Sequence, residues 1–204
     1  MKLYFSPSAC SLAVHIALRE ANLGADYVRV DLATHRLADG SDYLAIHARG
    51  YVPLLELDDG SRHTEVAALL QYLADLAPDA ALIPAAGTRE RFEVLQALTF
   101  VSSELHKVFS PWLWHSDTAD TTRKAVKDKL HLRFMELESH FGQHAFLAAE
   151  RFTVADAYAF TILRWGPMLG LSFQGFPNVA AYLARIGSRP AVAAALRAES
   201  KASA

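Results

Sequence analysis

The spacing of apolar and polar residues changes period partway along this chain. In the first 76 residues the apolar runs are short and closely punctuated. Residues 2–5 (KLYF) form an apolar-aromatic run stopped by Ser6-Pro7, which predicts a strand and a turn. Residues 10–23 (CSLAVHIALREANL) repeat Leu12 with Ile16 and Ala13 with Ala17 at helical spacing, and Gly24 closes the segment. Residues 27–32 (YVRVDL) alternate as a strand, and residues 42–47 allow a short helix. Residues 52–58 (VPLLELD) read as a strand opened by a proline. Asp59-Gly60 is a hairpin signal and predicts a short partner strand around Arg62-His63. Residues 64–76 (TEVAALLQYLADL) carry the pattern of an amphipathic helix. The predicted order is β-α-β-α-β-β-α.

Residues 77–88 (APDAALIPAAGT), with two prolines and a glycine, form the best candidate linker. Beyond them the period is helical throughout. The pattern predicts a long helix over 89–115 bent at Pro111, another over 121–141, one starting at Thr153, and two after Pro177 and Pro190. The expected organisation is therefore an α/β domain over 1–76, a linker over 77–88 and an all-helical domain over 89–204.

Composition narrows the classes of function. Hydrophobic residues make up 52 % and charged residues 21 %, a foldable globular balance. Net charge is −2 with no basic run, which argues against nucleic acid. No apolar stretch approaches the roughly 20 residues needed to span a bilayer. The segment MKLYFSPSAC has one lysine and then breaks at Pro7, unlike a secretory signal. Cys10 is the only cysteine, so no internal disulfide can form, which fits a reducing, cytoplasmic setting. The nine histidines lack zinc-like spacing, and no metal is expected.

Four segments carry candidate chemistry. Cys10 and Ser11 follow the first strand and open the first helix. Unpaired amides and the helix dipole there favour a thiolate, whose pKa would fall from ~8.5 toward ~7 or below. The plain alternative is a small buried cysteine beside a helix cap. Val52-Pro53 opens a strand, where proline cannot donate to the ladder. A cis bond would turn the Val52 backbone toward a peptide-like ligand, whereas a trans proline at an edge needs no function. Thr64-Glu65-Val66 begins the third helical segment. It is either an ordinary cap or a zwitterion site, with Glu65 for an ammonium and the helix amides for a carboxylate. Thr99, Ser103, His106, Lys107 and Ser110 recur at spacings of three and four on the long helix, as a solvated stripe or as the wall of a site.

The order of these motifs resembles the glutathione transferases, most closely the bacterial beta class, over nearly the whole chain. MKLYFSPSACSLAVHIALRE is similar to the first strand and helix of that class, and GYVPLLELDDGSRHTEVAALLQYL to its strand-hairpin-helix with a cis-proline. SSELHKVFSP resembles its first long helix. RFTVADAYAF resembles the family's capping box, here Thr153 and Asp156, and SRPAVAAAL its last helix.

The resemblance implies a thioredoxin-like domain that holds glutathione, a helical domain that supplies the second pocket, and a homodimer. It implies glutathione as co-substrate, a small hydrophobic electrophile as its partner, and a cytoplasmic detoxification role. Cys10 would lie at the glutathione sulfur and be able to form a mixed disulfide with it. Ser11 and His106 would join it as catalytic residues. Val52, ahead of Pro53, would pair by backbone with the cysteinyl unit. Glu65 and the Val66 amide would hold the γ-glutamyl end. Thr99, Ser103, Glu104 and Lys107 would line the site, partly across the dimer interface, and Phe109, Trp112 and Trp114 the hydrophobic pocket.

Several positions depart from the family pattern. Val66 stands where serine is usual, His35 where a lysine faces the glycyl carboxylate, Thr99 where asparagine is usual, and Phe5 where tyrosine is frequent. The usual Asn-Pro-Lys-Gly is here His47-Ala48-Arg49-Gly50, so Arg49 is a candidate to replace a lost positive charge. Two rival readings stay open: a glutaredoxin-like thiol oxidoreductase using Cys10, and a non-catalytic transferase-like binding protein.

Overall fold

A computed structural model describes residues 1–203. The chain divides into two units. One comprises residues 1–82 together with 189–204, and the other residues 83–188.

The first unit is organised by the strand of residues 2–5. Strand β1 (Lys2–Phe5) is flanked on both edges and covered on both faces, so Leu3, Tyr4 and Phe5 are all buried. It pairs in parallel with β2 (Asp26–Asp31) and antiparallel with β4 (Leu54–Glu56). The short β3 (Arg36–Leu37) and β5 (Arg62–His63) close the edges, in the order β3-β2-β1-β4-β5. On one face Tyr4, Val30 and Leu54 pack with Tyr43 and Val52. Helix α1 (Ser11–Glu20) borders the opposite face, where Phe5 meets the ring of His15. Helix α2 (Val66–Leu76) packs beside α1. The arrangement is the expected thioredoxin-like one, and β3 is the addition: a two-residue strand has no period to read.

Helix α1 is buried from Ser11 to Leu18. The sheet and α2 do not account for all of this. The last helix of the chain, α9 (Pro190–Ser203), packs along α1 and belongs to the first unit, not to the helical domain in which the sequence pattern alone groups it. Two polar contacts tie these helices together. Arg189 donates twice to Glu20, at 2.7 and 2.9 Å. Glu199, only 3 % exposed, lies against His15, itself 1 % exposed. The Glu199 carboxylate accepts from His15 Nδ1 at 3.1 Å and from the Ser8 amide at 3.0 Å. Arg19 Nε donates to His15 Nε2 at 2.9 Å. Arginine has no acceptor, so Nε2 is unprotonated and the proton sits on Nδ1, facing Glu199.

The second unit starts with α3 (Arg89–Phe100), which passes without a break into a π-helical stretch, Val101–His106, and then α4 (Lys107–Phe109). The helix ends there, short of residue 115. Ser110–Pro111 is cis, and proline cannot continue the ladder. Helix α5 (Asp120–Phe141) follows, then α6 (Val154–Leu163), α7 (Trp165–Met168) and α8 (Pro177–Gly187). Every residue of α6 is buried, which suits a central, mostly apolar helix whose polar Asp156 and Thr161 bond within the protein. Thr153 and Asp156 form the anticipated capping box. No strand occurs in this unit.

Replacing Glu199 by alanine removes the acceptor shared by the buried His15 ring and the part-buried Ser8 amide. The expected loss is about 3 kcal/mol of stability, read from the urea unfolding midpoint, with Glu199→Gln costing less because it keeps an acceptor. An alanine variant as stable as wild type would contradict this role.

Candidate active site

The loop from Ser6 to Cys10 joins the central strand to the start of α1. Its shape is set from within. The Ser11 hydroxyl donates to the Ser6 carbonyl and accepts from the Ser6 amide, both at 3.2 Å. Ser11 is fully buried, so its hydroxyl acts on the loop and is not presented to a ligand. Ser8 adopts a left-handed backbone (φ 62°), and its amide is held by Glu199. Cys10 occupies the N-cap position of α1, half-buried, with its thiol donating to the Val52 carbonyl at 3.2 Å. A thiolate would give up that bond and be favoured by the dipole of the helix start, where the Leu12 and Ala13 amides bond to the Ala9 and Cys10 carbonyls. The Val52–Pro53 bond is cis. The structure thus brings together two residues 42 positions apart, Cys10 and Val52.

Glu65 and Val66 lie at the start of α2. The helix begins at Val66, so Glu65, not Thr64, takes the N-cap position, and no side chain caps the first-turn amides. Glu65 holds a left-handed φ of 70° with ψ 104°. A non-glycine residue kept in so sparse a region is a mark of functional constraint. Thr64 serves elsewhere, accepting from Arg49 through its hydroxyl at 3.3 Å. The Val66 side chain is 5 % exposed and belongs to the core. His35 also has a positive φ, 53°, and its ring lies over Gly50 so closely that a Cβ there would come within 2.7 Å of it. Its Nδ1, like Nε2 of His47, is buried without a hydrogen-bond partner. Burial and the Arg49 charge lower the His47 pKa.

In the second unit the π-helical stretch decides which way the long helix presents its residues. Its wider turn shifts the register, so spacings of three and four no longer mark one face. Thr99, Ser103 and Lys107 are exposed. The hydroxyls of Thr99 and Ser103 bond back to the carbonyls of Leu95 and Thr99, each at 2.9 Å. Glu104 is held by Arg133 and Lys129 at 2.8 and 3.2 Å, which lowers its pKa. His106 turns inward instead. Its Nδ1 lies 2.6 Å from the Tyr158 hydroxyl, and its ring meets Trp165 edge-on. Burial, with a smaller push from the Lys107 charge, lowers its pKa to about 4, so the imidazole is neutral at physiological pH.

The expected hydrophobic pocket is divided. Phe109 has no exposed surface and packs against Phe134 and Trp165 in the core. Trp114 stands edge-on to Trp165 at 5.4 Å and remains half-exposed. Trp112, with Val108, Lys107 and Lys129, lines an open cavity of about 530 Å³. Tyr158 and Trp165 are functional neighbours that motif reading passes over. The available signal is a tyrosine inside a mostly apolar helix, whose hydroxyl must find a buried partner.

A mixed sheet of this order, with a thiol at the first helix start beside a proline-headed strand, defines a thioredoxin-like domain. Known proteins agree and extend this to the whole chain. The profiles "Glutathione S-transferase, N-terminal domain" and "Glutathione S-transferase, C-terminal domain" match residues 7–76 and 100–190. Glutathione S-transferase GstA of Escherichia coli O157:H7 is 40 % identical over 199 residues, covering 98 % of both chains. The bacterial beta class glutathione S-transferase of Sphingomonas chungbukensis superposes with a TM-score of 0.92 at 43 % identity, covering 98 % of each chain. A sphingomonad glutathione S-transferase complexed with glutathione superposes with a TM-score of 0.93 at 40 % identity, covering 98 % of this chain and 99 % of that one. The chain belongs to the glutathione S-transferase family.

The depressed His106 pKa makes a signed prediction. Between the ordinary value of 6.5 and about 4, the unfolded chain binds a proton that the folded chain refuses. This group's contribution is complete above the ordinary value and is lost as pH falls toward 4, by about 3 kcal/mol. Asp156, pushed up to about 6 mainly by burial, works in the opposite sense over much of the same range. The measurement is therefore a difference: unfolding free energy against pH for wild type and His106→Asn, with the wild type expected to lose more on acidification.

Proposed function

We propose that this chain is a glutathione transferase in which the glutathione thiolate attacks a small hydrophobic electrophile. The glutathione sulfur bonds to the electrophilic carbon, and the leaving group departs with the electron pair of the broken bond. The observation that carries this reading is the meeting of the Cys10 thiol with the Val52 carbonyl at the start of α1, in a chain of this family. The helix start stabilises a sulfur anion through fixed dipoles, which cost no reorganisation during reaction. Val52 offers backbone to the cysteinyl unit, and Glu65 with the α2 amides takes the γ-glutamyl end. His35 stands for the glycyl carboxylate. In the helical unit, the neutral His106 imidazole keeps a second ring nitrogen beyond the one that meets Tyr158. The cavity beside Trp112 suits an aromatic electrophile, and Ser103 and Lys107 supply polar groups around it. Cys10 adds thiol–disulfide exchange: its thiolate attacks a glutathione disulfide and releases the other thiol.

Two coarser features follow the same reading. The protein acts in the cytoplasm in detoxification; no helix among the described residues is long and apolar enough to cross a membrane. It works as a homodimer, supported by the exposed apolar residues Phe92, Leu132 and Met135 on α3 and α5. Light scattering is expected to give twice the 22.4 kDa chain mass.

The decisive test is turnover of chlorodinitrobenzene with glutathione, beside a calorimetric titration with glutathione alone. Saturable turnover and binding are expected, and a flat titration would overturn the reading. Iodoacetamide is expected to alkylate Cys10 quickly below neutral pH, and glutathione to slow it. Cys10→Ala is expected to abolish disulfide exchange while leaving part of the conjugation rate.

A further inference from the structure

We propose that Arg49 binds the free α-carboxylate at the γ-glutamyl end of glutathione, supplying a donor that Val66 lacks. This rests on the reading above, in which that end of the ligand sits at Glu65 and the start of α2.

The Arg49 guanidinium lies 3.7 Å from the Glu65 carboxylate and donates to the Thr64 hydroxyl at 3.3 Å. Both charged side chains face solvent, Arg49 at 59 % and Glu65 at 73 % exposed. Neither has another ion pair among the described residues. An exposed pair at this distance adds little to stability, so the fold does not account for its presence. It does match the head of an α-amino acid, which carries an ammonium and a carboxylate on one carbon. Glu65 accepts from the ammonium. The uncapped amides of α2 and the planar fork of Arg49 converge on the carboxylate.

Two further features favour this position. The Val66 side chain is apolar and buried, so on α2 itself only backbone amides serve the carboxylate. The turn that carries Arg49 is also rigid. The Gly50 amide donates to the His47 carbonyl at 2.8 Å, Gly50 has a φ of 65°, and the His35 ring occupies the space a Cβ there would need. The guanidinium is thus presented from a fixed backbone. It stands with Thr64 and Glu65, which places the replacement charge at the γ-glutamyl end.

Calorimetric titrations of wild type and Arg49→Ala with three probes test the assignment. The probes are glutathione, γ-glutamylcysteine, which lacks the glycine, and 4-aminobutanoyl-cysteinylglycine, which keeps the ammonium but lacks the α-carboxylate. Arg49→Ala is expected to weaken glutathione and γ-glutamylcysteine alike, by about tenfold. It is expected to leave the affinity for the carboxylate-free probe unchanged, and Arg49→Lys to recover part of the loss. An unchanged glutathione affinity overturns the assignment. So does an equal loss with the carboxylate-free probe. A loss with glutathione that vanishes with γ-glutamylcysteine would move Arg49 to the glycyl end. Wild-type protein that binds no glutathione overturns the parent reading and this one together, whereas wild-type binding that Arg49→Ala leaves intact overturns this one alone.

Discussion

The structure around the candidate thiol depends on one buried carboxylate. Glu199 comes from the far end of the chain, yet it accepts both from an imidazole on α1 and from a backbone amide in the loop that ends at Cys10. A carboxylate removed from water is tolerable only when its lone pairs are used. Here they are used by groups that themselves need an acceptor. The Arg19 charge reaches Glu199 through the His15 ring, which links the opposite charges by a chain of hydrogen bonds. The left-handed backbone at Ser8 is then held by the surroundings, not by its own preference. The geometry of the Cys10 loop is thus as much a property of the last helix as of the first strand.

This explains what was legible in the sequence and what was not. Strands β1 and β2, helices α1 and α2, and the longer later helices can be read from period and punctuation, because their apolar runs are contiguous in sequence and are stopped by proline and glycine. The attachment of α9 to α1 cannot be read that way. Its signals are a histidine inside an apolar helix and a glutamate in an alanine-rich one, and each taken alone is ordinary. Only proximity, across 184 residues, makes them a pair. The same holds at the site. Cys10, Val52 and Glu65 stand out as motif positions, while Arg49 acquires meaning only from the residues beside it.

The second unit shows a different limit. Helical spacing aligns Thr99, Ser103 and His106, but the π-helical stretch separates them by changing the number of residues per turn. The hydroxyls then return to their own backbone, and the imidazole goes to Tyr158. Periodicity assumes a constant pitch, and a widened turn violates it without an unusual composition. Once inside, His106 loses solvation and with it the charged form, which changes its chemistry from acid to neutral hydrogen-bonding partner.

The departures from the family pattern have a common physical result. Val66 gives its side chain to the core, Thr99 gives its hydroxyl to Leu95, and His35 gives its ring face to Gly50. At positions 66 and 99 the side chain at a place that the resemblance assigns to the ligand is used by the protein itself. On the proposed reading, what remains for a peptide ligand is mostly backbone: N–H groups at the start of α2, the dipole at the start of α1, and Val52, whose carbonyl accepts. Backbone donors are fixed by the fold and cannot be lost by substitution, so recognition built on them survives changes that would remove a side-chain contact. On the proposed reading, the selectivity that backbone cannot supply, telling an amino-acid head from any other anion, falls to the exposed pair of Glu65 and Arg49 beside the start of α2.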